Sequence, residues 1–283
     1  MPRGRMCAAA VVALASTCFA PAAAPQEAIH TDSAAAVPSV GHISLRQTLT
    51  FMSFDELPGF DFPDAPGVDE WRAVTTVEYG LRNDVALSLY VPIVYRDAES
   101  FVDDEFGLDD ITLAAKWRVY RNDFGPIDTS RLSLVAAIEL PTGTDDFSTD
   151  SVNPSLGAVY SLVYGRHGFN AEARWKFTTG GEDQPLLAGE GKADALFYNA
   201  SYLYRLRPAQ FGAASSGGAV YGVVELNGAL ETNRDHQLLL SPGLLYEART
   251  YAVEASVQIP VLQNLDDRPE MDFSLTLGVR FLF

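Results

Sequence analysis

Hydrophobic and polar residues alternate along most of the chain from His42 onward. In the stretch 271–283, apolar side chains occupy every second position from Phe273 to Phe283, and mostly polar ones such as Thr276 stand between them. A period of two is typical of a β-strand with one apolar face. Similar stretches recur along the chain with turn-rich segments between them, and together they predict an all-β protein.

The alternation predicts twelve strands, an even number that places both ends of an up-and-down sheet on one side. They run approximately over 43–53, 71–82, 85–95, 108–120, 132–141, 155–164, 169–178, 192–206, 219–230, 237–247, 251–262 and 271–283. Long acidic connections alternate with mostly shorter ones, and the acidic ones are 55–70, 97–107, 142–153, 180–191, 231–236 and 263–270. We expect the acidic connections to face the outside of the cell.

The apolar face of these strands needs a partner, and lipid is the partner that the pattern favours. In hydrocarbon every backbone N–H and C=O must be paired within the protein, so a sheet can span a membrane only if it closes on itself. The sequence therefore predicts a transmembrane antiparallel up-and-down β-barrel of about twelve strands. The competing interpretation is a soluble β-sandwich whose aromatic residues fill a dry core.

The final strand resembles the signal by which outer-membrane barrels are recognised for assembly. Thr276, Gly278, Phe281 and Phe283 follow the pattern of that signal, which includes a terminal Phe. We expect the barrel-assembly machinery to read these four residues.

The first residues predict a cleavable signal peptide over 1–22. Arg3 and Arg5 precede an apolar run, and small residues follow it near Ala22. Both cysteines, Cys7 and Cys18, fall in this segment, so the mature chain is expected to hold no disulfide. Residues 23–41 are rich in Ala, Pro and Ser and predict a flexible leader rather than a plug, and the barrel is expected over 42–283.

Charge narrows the possible partners. The formal net charge is −17, which argues against nucleic acid because no basic face exists to meet phosphates. The expected location is the bacterial outer membrane, with outer-membrane lipid and lipopolysaccharide as neighbours. An acidic cluster at 103–110 lacks the spacing of a calcium loop, so we predict no metal site and no cofactor.

The polar face of the strands carries charges of both signs. Such groups are tolerable inside a membrane only when they are paired or hydrated. A cross-strand ladder that stiffens the wall is one interpretation, and a narrow hydrated path is the other. The candidate pore-lining residues are Arg46, Arg72, Glu78, Arg82, Lys116, Arg118, Glu139, Glu172, Arg174, Lys176, Glu225, Glu254 and Arg280.

A lipid hydrolase embedded in the barrel wall is the enzymatic alternative. The histidines are His30, His42, His167 and His236, and none has a nucleophilic serine in a recognisable context beside it. The motif G-x-S-x-G is absent from the sequence. We therefore expect no catalytic residues and no enzymatic activity.

Several phrases resemble the outer-membrane transporter family of the meta-pathway of phenol degradation. They are Glu78-Tyr79-Gly80-Leu81, Gly107-Leu108-Asp109-Asp110-Ile111, Glu139-Leu140-Pro141-Thr142-Gly143, Ser241-Pro242-Gly243 and Gln258-Ile259-Pro260-Val261. The resemblance implies a passive channel for small solutes, aromatic or apolar ones among them. The alternatives are a structural or adhesive barrel with a plugged lumen and, less favoured, the lipid hydrolase.

Overall fold

The computed structural model describes residues 27–54, 67–98, 105–144, 147–181, 186–187, 189–210, 217–266 and 268–283. The predicted signal peptide and parts of the acidic connections lie outside these residues. The strands are β1 (Ile43–Phe54), β2 (Val68–Arg82), β3 (Val85–Ala98), β4 (Glu105–Leu108), β5 (Ile111–Asp123), β6 (Thr129–Leu140), β7 (Asn153–Tyr164), β8 (His167–Lys176), β9 (Ala195–Arg207), β10 (Ala219–Glu231), β11 (His236–Glu247), β12 (Tyr251–Asn264) and β13 (Met271–Leu282). Among the described residues, no helix has the length and apolar character needed to cross a membrane.

Twelve of these strands form one closed antiparallel sheet. Each pairs with its neighbours along the chain, and β1 closes the ring by pairing with both β2 and β13. The short β4 pairs with β3 alone and extends one end of the sheet. The predicted up-and-down barrel of about twelve strands is therefore confirmed.

Two strands reach further than the alternation predicts. β2 begins at Val68 and β3 ends at Ala98, both within predicted connections, and these two residues pair with each other. β4 also forms mostly inside the predicted connection 97–107, and its last residue, Leu108, is the first residue of the next predicted strand. Backbone pairing does not require an apolar face, so a hairpin can continue beyond the stripe that meets lipid.

The end of the barrel that carries the long connections is called the outer end. The end with the short turns is called the inner end.

The two faces of the sheet have opposite polarity. In β13, Leu275 and Leu277 are 44% and 61% exposed, whereas Ser274 and Thr276 between them are 0% and 4% exposed. Exposed apolar residues alternating with buried polar ones reverse the arrangement of a soluble sandwich. The outward face is suited to acyl chains and the inward face to a polar lumen, so the competing sandwich interpretation is wrong.

Aromatic side chains gather at both ends of the barrel. At the outer end the Phe51 ring lies 4.8 Å from the Trp71 ring and 5.9 Å from the Phe273 ring, measured between centroids. At the inner end the rings of Phe124 and Tyr164 stack at 6.4 Å. Such belts are typical of the two interfaces between membrane and water.

Candidate functional site: the barrel lumen

Residues 27–36, which precede β1, lie inside the barrel, and we call them the lumen segment. Polar contacts reach it from eight strands, through Arg46, Lys116, Arg131, Ser161, Glu172, Glu225, Ser256 and Arg280. Irregular backbone carries unpaired polar groups, and the inward face of the barrel supplies their partners. This part of the chain is therefore packed and hydrogen-bonded, unlike the flexible leader that was expected over 23–41.

Glu225 on β10 holds the middle of the lumen segment. Its carboxylate accepts hydrogen bonds from the backbone N–H groups of Ile29 at 2.9 Å, His30 at 3.1 Å and Thr31 at 2.8 Å. The hydroxyl of Thr31 donates a further bond of 2.7 Å to the same carboxylate. Hydrogen bonds to an ionised carboxylate are about twice as strong as neutral ones, so this is the densest anchor of the segment.

Lys116 on β5 forms a second anchor on another side of the lumen. Its ammonium lies 2.8 Å from the Asp32 carboxylate and 3.4 Å from that of Glu78. It also donates to the carbonyl of Ser33 at 3.3 Å, and Glu172 accepts from the backbone N–H of Asp32 at 3.3 Å. Lys116 is 6% exposed, so its charge depends on these partners for compensation.

Two arginines on neighbouring strands point into the lumen near the start of the segment. Arg46 and Arg280 stand opposite each other in the register of β1 and β13. Arg46 pairs with Glu254 and donates to the Ile29 carbonyl at 2.6 Å, while Arg280 pairs with Glu27 and lies 3.8 Å from Glu247. The acidic partners offset the repulsion between the two guanidinium groups.

His30 lies in the lumen near Arg46, Glu225 and Ser256. Its Nε2 lies 2.7 Å from the Ser256 hydroxyl. Burial, together with the positive charge of Arg46, lowers the pKa of His30 to about 3. The imidazole is therefore neutral at physiological pH, because charging it would place a second cation beside Arg46 without water.

One side of the lumen segment packs on an apolar part of the lumen wall. Ala28 lies in a buried cluster whose wall members are Leu203, Ala219, Tyr221, Val223, Leu245 and Ala252, from β9 to β12. Gly243 leaves room for Ile29, since a Cβ there would lie 2.7 Å from the Ile29 Cδ1 atom. The lumen wall is thus divided into an apolar sector and a charged one.

A second charged network occupies the outer mouth. Arg72 contacts Glu70 at 3.1 Å, Asp109 and, at 3.5 Å, Glu190. Arg96 pairs with Glu70 at 3.1 Å on its other side. Burial and repulsion from Glu190, partly offset by Arg72, raise the pKa of Asp109 to about 7.

The described parts of two connections at the outer end, around 142–149 and at 186–187, fold over the mouth. Asp110 accepts five hydrogen bonds from the backbone and side chains of Thr142, Gly143, Ser148 and Thr149, which ties that connection to the start of β5. Leu186 packs against inward side chains that include Met52, Phe54, Val68, Leu239 and Met271. Together these connections cap the outer mouth.

The other candidate residues are held by local partners. Lys176 pairs with Glu139 at 3.3 Å, and the Arg174 guanidinium stacks on the Phe197 ring at 5.2 Å. Arg82 and Arg118 lie at the inner end, where Arg82 pairs with Asp84 at 3.2 Å and Arg118 donates to the Asn83 carbonyl. The side chain of Arg82 is 70% exposed, so it belongs to the rim of the barrel more than to its lumen.

A cavity of about 130 Å³ remains in the outer half of the lumen. Its lining includes Arg72, Tyr90, Thr112, Glu139 and Glu190, so it is polar on most sides. Since a water occupies about 30 Å³ in the liquid, this space suits a few waters or a small solute.

Sequence reasoning missed the partners that the lumen segment contributes, among them Glu27, Thr31 and Asp32. A segment without periodicity gives no signal for which surface covers it. It also missed Arg96, because the strand that carries it continues into a predicted connection.

A family model and solved structures of outer-membrane proteins are similar to this chain. A family model described as "Putative MetA-pathway of phenol degradation" matches residues 56–270. The COG4313 outer membrane channel from Pseudomonas putida F1 is similar in structure, with a TM-score of 0.61 at 15% identity, over 88% of this chain and 97% of that one. The beta domain of the Bordetella autotransporter BrkA has a TM-score of 0.48 at 12% identity, over 86% of this chain and 100% of that one. A search of curated proteins finds no match.

Proposed function

We propose, for a chain that belongs to the MetA-pathway of phenol degradation family, that it works as a passive channel for small solutes. The closed barrel with its lipid-facing exterior places the protein in the bacterial outer membrane. The observation that carries the proposal is that the lumen is filled by a segment that is not part of the wall. Because the segment is not a strand of the sheet and is held by hydrogen bonds and ion pairs, it can leave the lumen while the barrel stays closed.

The inward charges support a hydrated path. Lys116, Glu225 and Arg46 each bind the lumen segment. Water can replace the segment as their partner. We propose that these residues, with Glu78, Glu172, Glu254 and Arg280, line the path once the segment has moved.

The apolar sector supports aromatic or apolar solutes. Leu203, Tyr221, Val223 and Leu245 face the lumen and are each no more than 2% exposed beneath Ala28. Moving the segment uncovers this surface next to polar groups, which is the usual composition of a site for small organic molecules. A lumen that served water and ions alone would not need it.

Conductance and solute uptake test the proposal. The folded protein would be compared with a variant lacking residues 27–36, in planar bilayers and in liposomes loaded with phenol or with a sugar of similar size. We expect the deletion to raise conductance and phenol flux more than sugar flux. Heat-modifiable migration on gels would verify that each barrel is folded.

A structural barrel with a plugged lumen is the second candidate, favoured by the density of contacts around the lumen segment. It predicts no current and no uptake for either protein. The hydrolase alternative predicts release of fatty acid from phospholipid that a single Ser or His substitution abolishes.

We further propose that residues 1–22 are removed on export and that the assembly machinery reads Thr276, Gly278, Phe281 and Phe283. Mass spectrometry of the mature protein would test the first point. For the second, replacing Phe283 with Ser should lower the amount of barrel assembled in cells, whereas the same change at the lipid-facing Phe169 should not.

A further inference from the structure

A groove of about 540 Å³ lies on the outside of the barrel near its outer end. Its lining residues are Trp175, Leu230, Glu231, Thr232, Arg234, His236, Leu262 and Asn264. In the sheet register, Trp175, Leu196, Leu230, His236 and Asn264 follow one another across β8 to β12. The groove therefore crosses five strands, a width of about 19 Å at about 4.8 Å per strand step.

The floor of the groove faces lipid. Leu230 and Leu262 are 39% and 43% exposed, and they alternate with residues that point into the barrel. Trp175 lies 6.4 Å from Phe177, ring centroid to centroid, in the aromatic belt of the outer end. An aromatic belt marks the level where acyl chains give way to headgroups, so the groove spans that boundary in the outer leaflet.

The upper edge of the groove carries a positive charge. Arg234 lies in the turn between β10 and β11 and is exposed. Within the described ranges, no acidic side chain pairs with it, because the nearby carboxylates are occupied. Glu231 points into the barrel and binds Arg268 at 2.8 Å, and Asp235 lies 3.5 Å from the same arginine.

The histidine of the groove also has a partner. Nε2 of His236 lies 2.5 Å from the Tyr198 hydroxyl. Thr232 and Asn264 are polar but uncharged, so Arg234 is the one arginine or lysine among the lining residues that can meet an anion. Its backbone φ is +93°, a conformation that side-chain-bearing residues rarely adopt.

We propose that this groove binds a phosphorylated glycolipid of the outer leaflet, of the lipid A type. One acyl chain lies along Trp175, Leu230 and Leu262, and a phosphate meets the Arg234 guanidinium. An apolar floor below a single cation matches a lipid whose phosphate lies directly above its acyl chains. The site is on the wall of the barrel, so it is independent of whether the lumen conducts.

The test uses the full folded protein in detergent and measures its affinity for three lipids by native mass spectrometry. The lipids are bisphosphorylated lipid A, dephosphorylated lipid A and phosphatidylglycerol. R234Q is the test variant, and R249Q is the matched control because Arg249 is an exposed arginine in a turn at the inner end. Both substitutions lie in exposed turns, so both proteins should fold.

We expect R234Q to weaken binding of bisphosphorylated lipid A about tenfold, the range for one charge-assisted contact to phosphate. R249Q should leave the affinity unchanged, and dephosphorylated lipid A should bind the native protein and R234Q equally. A brominated acyl chain should also quench Trp175 fluorescence in a protein whose Trp71 and Trp117 are replaced by Phe.

Two results would overturn the proposal. One is equal affinity of the native protein and R234Q for bisphosphorylated lipid A. The other is that phosphatidylglycerol binds the native protein as tightly as lipid A does and loses as much affinity in R234Q. That result would make the groove a general phospholipid site.

Discussion

The hydroxyl of Thr31 donates a 2.7 Å hydrogen bond to the carboxylate of Glu225, 194 positions along the chain. This bond joins the lumen segment to the barrel wall. The backbone N–H groups of Ile29 and His30, which precede Thr31 in the segment, donate to the same carboxylate. Among the described wall residues that contact the segment, Glu225 therefore accepts the most hydrogen bonds from it.

Replacing Glu225 with Gln should loosen the lumen segment. The amide keeps the shape of the side chain but loses the charge that strengthens its bonds, a loss of about 1–3 kcal/mol. We expect faster hydrogen exchange at residues 29–31 and a higher open probability in bilayers. E270Q is the control, since Glu270 is exposed outside the lumen. Unchanged exchange in E225Q would contradict the anchoring role.

Acidification should release the segment through His30. While the segment is bound in the lumen, the pKa of His30 is lowered to about 3 from its ordinary value of 6.5. Binding of the segment therefore favours the neutral imidazole. The resulting stabilisation is complete above about pH 6.5 and falls as the pH drops toward 3, with about 2 kcal/mol lost at pH 5.

Conductance measured from pH 7.5 to pH 5 checks this prediction. Arg46 acts on the imidazole, Glu225 accepts from the backbone N–H of His30, and Glu254 pairs with Arg46. Acid could therefore act through these two carboxylates instead. In H30Q the amide can still reach Ser256 but does not titrate, and we expect most of the pH response to disappear. A response that persists in H30Q would assign it to the carboxylates.

Asp109 should make ion selectivity depend on pH. Its pKa is raised to about 7 by burial and by Glu190, above the ordinary 3.8, so ionisation is disfavoured in the folded barrel. Stability from this group is present at pH below about 4 and is lost as the pH rises through 7. The same rise adds a negative charge to the outer mouth.

We therefore expect cation selectivity, read from reversal potentials in a KCl gradient, to increase between pH 5.5 and pH 8. D109N should remove that increase, whereas D97N, at an exposed position on β3, should keep it. A native protein whose selectivity does not change with pH would contradict the assignment.

Gly243 should tolerate no side chain. A Cβ there would lie 2.7 Å from both Ile29 Cδ1 and the carbonyl oxygen of Ala255, so G243A must shift the segment and the neighbouring strand. Such overpacking costs about 1–3 kcal/mol. G222A is the control, because its nearest neighbour would be Leu206 Cδ1 at 3.8 Å. Equal melting temperatures for the two variants would disprove the close packing.

The sequence by itself determined the twelve strands of the wall, though not all of their ends, and the side of the wall that their residues face. Alternation is a local property, so the inward direction of Arg46, Lys116 and Glu225 follows from parity alone. The apolar face predicted lipid, and the exposed leucines of β13 agree with it.

Only the tertiary structure decided what those inward residues hold. Arg46 and Arg280 become neighbours when β1 meets β13, and their acidic partners come from β12, β11 and the lumen segment. The segment has no period, and its small residues would suit solvent as well as a lumen. Its place depends on bonds to residues as many as 226 positions away, which no local pattern in the sequence brings together.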